Sequence, residues 1–137
     1  MKSVDIAAWD RKEIYDLFSA CDHPFYSVSF ELDVTNLYAH THESGLSFYY
    51  SLCYLMTRAM EEVEAFRMRI RDGRIDIVDE LIPSCTDLVP GSDAFVIVTL
   101  PHGGDMAEFC RQAKEKAAGQ MYLFDREMEK LDTLVYF

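Results

Sequence analysis

One change of hydrophobic period, inside residues 46–85, constrains the fold more than any other feature of the chain. Leu46, Tyr49, Tyr50, Cys53, Met56, Met60 and Val63 recur at helical spacing, and Phe48, Leu52, Leu55 and Ala59 widen the apolar arc. The first turns are therefore expected to lie deep. Charge returns at Arg58, Glu61, Glu62 and Glu64, so the last turns should reach solvent. With Ser47 as N-cap, a helix of roughly 18 residues would run about 27 Å. From Phe66 onward the period falls to two: Phe66, Met68 and Ile70 alternate with Arg67, Arg69 and Arg71, and Ile75 and Ile77 alternate with Arg74 and Asp76. Asp72-Gly73 between the two runs predicts a hairpin, because a type I′ turn needs positive φ at both central residues.

Four stretches in order along the chain resemble the chloramphenicol acetyltransferase family. Phe66-Arg67-Met68-Arg69-Ile70-Arg71-Asp72-Gly73 is similar to its E-F-R-M-x-x-x-D-G hairpin, and Trp9-Asp10-Arg11-Lys12-Glu13 to its W-x-R-K-E opening. Leu32-Asp33-Val34-Thr35 resembles the L-D-I-T strand end, and Pro83-Ser84-Cys85-Thr86 sits where P-C-Y-T lies. The resemblance implies CoA-dependent O-acyl transfer to a small-molecule alcohol acceptor, with acetyl-CoA as co-substrate. It also implies a homo-oligomer, a trimer whose pockets lie between subunits, and antibiotic resistance as a role. Its catalytic signature, His-His-x-x-x-Asp-Gly, does not occur here: the histidines are His23, His40, His42 and His102, and none stands at that spacing. The region holding the family's oxyanion serine is absent as well. No catalytic residue is assigned, and the chain is expected to be the N-terminal portion of the family's fold, with the C-terminal part missing.

Carried over residue by residue, the resemblance makes Phe25, Tyr26, Val28 and Phe30 acceptor-binding residues and adds Phe95 to them. Arg11 matches the arginine that pairs with the aspartate of the catalytic signature. That partner is missing from this sequence, so Arg11 should be solvated or re-paired locally, since an unpaired buried guanidinium costs several kcal/mol.

The 137 residues set a prior of one domain, 1–137, and 50% hydrophobic content suffices for a real core. Thirteen basic against 24 acidic side chains give a net charge of −11, which repels phosphate backbones and anionic lipid. Neither nucleic acid nor membrane is expected as a partner, and CoA, itself an anion, would need a local basic feature. No long apolar run opens the chain and none reaches membrane-spanning length, so a cytoplasmic protein is expected. Cys21, Cys53, Cys85 and Cys110 are irregularly spaced and read as reduced thiols, and neither Cys21-x-His23 nor His40-x-His42 matches a zinc pattern, so no metal is expected.

In chain order, residues 9–20 read as an amphipathic helix with Ile14, Leu17 and Phe18 on one side. Phe25 to Val34 alternates as a strand, with Tyr26, Val28, Phe30, Leu32 and Val34 on one face and Ser27, Ser29, Glu31 and Asp33 on the other. Thr35 to Ser44 reads as a polar stretch holding a turn or one short helical turn, with His40 and His42 at the surface. A second hairpin joins Leu81–Val89 to Ala94–Leu100 across Pro90–Asp93, and 101–105 connects flexibly to a helix over 106–119 with Asp105 as N-cap and Gly119 as C-cap. Leu123 to Leu134 reads as a further helix. The expected class is α+β, a two-layer sandwich of a mixed β-sheet covered by helices. The function expected is the acceptor side of an O-acyltransferase. The alternative is a non-catalytic assembly or small-molecule-binding module that keeps the fold.

Overall fold

A computed structural model describes residues 2–137. Its central helix, α3 (Phe48–Glu61), starts where Ser47 Oγ accepts the Tyr50 N–H at 3.3 Å. Tyr50, Cys53 and Thr57 are buried along it. It stops short of Val63, and a 3₁₀ turn over Glu64–Arg67 follows. Glu61, Glu62 and Glu64 crowd the end where the macrodipole is negative, which disfavours another helical turn.

The hairpin forms as expected. β2 (Met68–Arg71) and β3 (Arg74–Ile77) pair antiparallel, and Asp72 and Gly73 take φ of 49° and 74°, both positive as a type I′ turn demands. β1 (Lys2–Val4) pairs antiparallel with β3 on its other side, completing a sheet of order β1-β3-β2. Asp76 is buried in that sheet, where it accepts the Ser3 hydroxyl at 2.7 Å and faces the Arg71 guanidinium at 3.6 Å.

A second sheet has the order β5-β4-β6. β4 (Ile82–Leu88) pairs antiparallel with β5 (Phe95–Thr99) and parallel with β6 (Leu134–Tyr136). Helix α4 (Met106–Gly119) begins at Asp105, whose carboxylate accepts the Glu108 N–H at 2.9 Å, and its C-cap is Gln120, one position beyond the glycine expected there. Tyr50 and Cys53 of α3, Cys85 and Val98 of the sheet, and Phe109 and Ala113 of α4 close one core. Complete burial of a side chain such as Phe109 contributes about 1.5–3 kcal/mol. The α+β expectation holds, with the strands divided between two three-stranded sheets of which the second is mixed.

Three local expectations do not hold. Phe25 to Val34 forms no ladder, and every residue from Cys21 to Asp33 is exposed. A period of two makes a strand only where an edge of matching length is free. Here β1 and β6 offer three residues each, and Leu123 occupies the outer side of β5. Thr35–Ser44 is a full ten-residue helix, α2. Asp33 accepts the Thr35 N–H at 2.9 Å, and Gly45 ends the helix at φ 67°. The expected helix over 123–134 shrinks to a 3₁₀ turn at Met128–Lys130, because Asp125 Oδ1 takes the Glu127 and Met128 N–H groups at 3.1 and 3.3 Å and holds a turn in place. Helix α1 (Lys12–Ser19) forms, yet Ile14, Leu17 and Phe18 remain more than half exposed.

Candidate functional site

The segment between α1 and α2 carries most of the sequence-derived site. Phe25, Tyr26, Val28 and Phe30 are 69–89% exposed and stand clear of the packed body. Phe95 opens β5 opposite Leu88 and is 47% exposed. The five are all accessible to a ligand. They do not line either hollow of the surface described below.

One hollow of about 310 Å³ lies beside α1, between Trp9, Arg11, Ile14, Phe18, Pro24 and Ile70. Arg11 is exposed there with its guanidinium 5.5 Å from the Trp9 ring centroid, a cation–π contact in place of a carboxylate partner. Phe18, on the apolar side expected for this helix, lines the hollow, and Leu17 beside it is exposed. A wider cleft of about 820 Å³ opens between the end of α4 and the following loop, with Lys116, Gln120, Tyr122, Phe124 and Arg126 around it.

A proton acceptor is the second need of acyl transfer to an alcohol. His40 and His42 lie exposed on α2, with His42 stacked 6.4 Å from Tyr38, and His23 is exposed before Pro24. His102, expected in a flexible connection, has its imidazole buried. Nε2 lies 2.7 Å from Glu61 Oε1, which also accepts the Leu81 N–H at 2.9 Å. Because that oxygen already accepts one hydrogen bond and a carboxylate has no proton to give, Nε2 is the donor. The Tyr54 ring packs edge-on against the imidazole at 6.0 Å. No spacing rule could have found this pair, whose members are 41 positions apart.

The remaining polar groups of the core are tied into structure. Tyr50 donates to Asp87 at 2.6 Å, and burial together with that bond lifts its phenol far above the ordinary range. Tyr49 accepts the Thr86 N–H at 3.1 Å and donates to the Phe137 carbonyl at 3.2 Å; burial pushes it up to about 12. A hydrogen bond between the Cys53 and Cys85 thiols, together with burial, raises the Cys85 thiol well above its usual value. Thr99 donates to Glu129 at 2.7 Å, and Ser84 lies 2.8 Å from Thr99 with both hydroxyls buried. Among the described residues no cluster of His, Cys, Asp and Glu could hold a metal ion. Among the described residues no helix is long and apolar enough to cross a membrane.

The arrangement of helices and sheets is that of a solved chloramphenicol acetyltransferase, matched with a TM-score of 0.82 at 24% identity over 98% of this chain and 67% of that one. The family model described as chloramphenicol acetyltransferase matches residues 1–129, and the chain belongs to that family. Chloramphenicol acetyltransferase 2 of Escherichia coli is 27% identical over 106 residues, covering 77% of this chain and 50% of the relative. A chloramphenicol acetyltransferase of Vibrio anguillarum is 31% identical over 110 residues, covering 80% and 49%. The chain thus spans about half the length of the curated relatives it matches.

Proposed function

We propose that this chain contributes the alcohol-acceptor side of a CoA-dependent O-acyltransferase centre, and that the proton-accepting imidazole reaches that centre from outside these 137 residues. The family match over residues 1–129 carries the reading. The acceptor is a small apolar or aromatic alcohol held by Phe25, Tyr26, Val28, Phe30 and Phe95, and acetyl-CoA is the donor. Transfer needs a base for the hydroxyl proton and donors for the oxyanion. His102 is engaged by Glu61 inside the fold, which supports a base supplied by a neighbouring subunit in a trimer of the kind the resemblance implies. Arg11, resting on Trp9 without a carboxylate, is in keeping with an acid that arrives with that base.

The test uses the purified chain with chloramphenicol and acetyl-CoA. Binding of chloramphenicol is followed by quenching of Trp9 fluorescence, and CoA release by thiol titration. Acceptor binding that weakens on Tyr26→Ala or Phe30→Ala, without CoA release, supports the reading. Turnover by the chain alone overturns the external base, and failure to bind any aromatic alcohol overturns the acceptor assignment. The non-catalytic alternative draws on the same engagement of His102. It is favoured if acceptor binding persists but no acetyl transfer appears when the chain is mixed with a full-length relative whose own acceptor site is blocked.

A further inference from the structure

Two buried thiols meet where α3 packs on β4, and no step of acyl transfer uses them. The bonds around them fix the meeting. Tyr50 and Cys53 stand three positions apart on one side of α3, and Cys85 and Asp87 two positions apart on one face of β4. The Tyr50 phenol reaches the Asp87 carboxylate at 2.6 Å, so the next turn of the helix brings Cys53 over Cys85. Tyr49, one turn before Cys53, accepts the Thr86 N–H at 3.1 Å and holds the same register. The two thiols are hydrogen-bonded to each other and are 1% and 0% exposed. Both lie inside the packed body, so their pairing does not depend on what covers its surface.

We propose that Cys53 and Cys85 form a peroxide-responsive dithiol, which closes to a disulfide and locks α3 onto β4. The oxidant is hydrogen peroxide or another small hydroperoxide, because a bulky disulfide has no path to groups this deep. Cys53 supplies the attacking sulfur. The hydrogen bond from Cys85 holds its thiol below the ordinary value against the opposing effect of burial, and the Cys85 thiol is raised in return. The Cys53 sulfur breaks the O–O bond of the peroxide and becomes a sulfenic acid, while its proton leaves with the released hydroxide as water. The Cys85 sulfur then attacks the Cys53 sulfur, the S–O bond breaks, and the Cys85 proton leaves with that hydroxide as a second water. The pair loses two electrons, and one peroxide is reduced to two waters.

Cys110 is the internal comparison. It is as deeply buried, but it lies 3.3 Å from the Ser51 hydroxyl. A Cys53–Cys85 bond ties a helix to a strand and limits the freedom of the unfolded chain, so the oxidised protein is the more stable form. None of this depends on the acyl-transfer reading.

The test uses the purified chain carrying Cys21→Ser, which removes the exposed thiol and leaves three buried ones. After hydrogen peroxide and then alkylation in denaturant, one thiol, Cys110, is expected to take the label, and digestion is expected to yield a peptide joining Cys53 to Cys85. Dithiothreitol restores all three. The oxidised chain is expected to unfold at higher urea than the reduced one, reversibly with dithiothreitol. Cys85→Ala removes the second sulfur and is expected to leave a Cys53 sulfenic acid that dimedone traps. Three labelled thiols after peroxide, a linkage through Cys110, or an oxidised chain that unfolds at lower urea overturns the proposal. Acceptor binding and CoA release are not read in any of these measurements, so failure of the lock and failure of the acyl-transfer reading are separate results.

Discussion

His102 Nε2 and Glu61 Oε1 meet at 2.7 Å with their side chains only 7% and 11% exposed. The pair joins the loop after β5 to the end of α3, and through the Leu81 N–H it also fixes the start of β4. Glu61→Ala strands a buried N–H and a buried imidazole together. A loss of about 2–3 kcal/mol is expected, measured by urea denaturation. Glu61→Gln keeps an acceptor oxygen and is expected to cost less than half of that.

Tyr49 and Tyr50 hold their protons more tightly folded than unfolded. Their contribution is therefore complete below the unfolded phenol value of about 10 and is lost as pH rises through the folded values, about 12 for Tyr49. Alkaline unfolding followed by circular dichroism should begin above about pH 10. Tyr50→Phe, which removes the bond to Asp87, is expected to flatten that dependence while costing about 1 kcal/mol at neutral pH.

Asp132 behaves in the opposite sense. The Arg71 guanidinium grips both its carboxylate oxygens at 2.6 and 2.7 Å and holds it below the usual carboxylate range. That support is present above the unfolded value of about 3.9 and disappears as pH falls through the folded one. Asp132 is half exposed, so the effect is small and screened by salt. Asp132→Asn is expected to raise amide exchange across Leu134–Tyr136 at neutral pH, with the wild type approaching the variant in acid.

Thiol accessibility separates the four cysteines. Cys21 is exposed and Cys53, Cys85 and Cys110 are buried. One thiol should react quickly with a disulfide reagent in buffer and three more only in denaturant. Fast reaction of a second thiol in buffer contradicts the packing of α3 and α4 on β4 and β5.

The elements legible from sequence are those whose signal is local. Ser47 and Asp105 cap helices through side chains three residues from their partners, and Asp72-Gly73 sets a turn through its own torsions. Where the outcome depended on distant chain, the pattern misled. The alternation of Phe25 to Val34 states which faces a strand would have but not whether an edge is free to receive it. The apolar residues of 123–134 fit a helix, but Asp125 accepts the Glu127 and Met128 N–H groups and Leu123 offers its carbonyl to Ile97 at 2.7 Å. The chemistry follows the same divide. The family resemblance marks Arg11 and the acceptor residues Phe25 to Phe30, while the engagement of His102 by Glu61 needed the folded chain.

The parallel pairing of β6 with β4 bears on the order of events in folding. Its ladder joins residues about fifty positions apart, and the Tyr49 phenol adds a bond to the Phe137 carbonyl, 88 positions further along the chain. A closure that long follows the local hairpins rather than guiding them. Substitutions in β6 should thus quicken unfolding and leave the refolding rate almost unchanged, making this strand the first part of the molecule to let go.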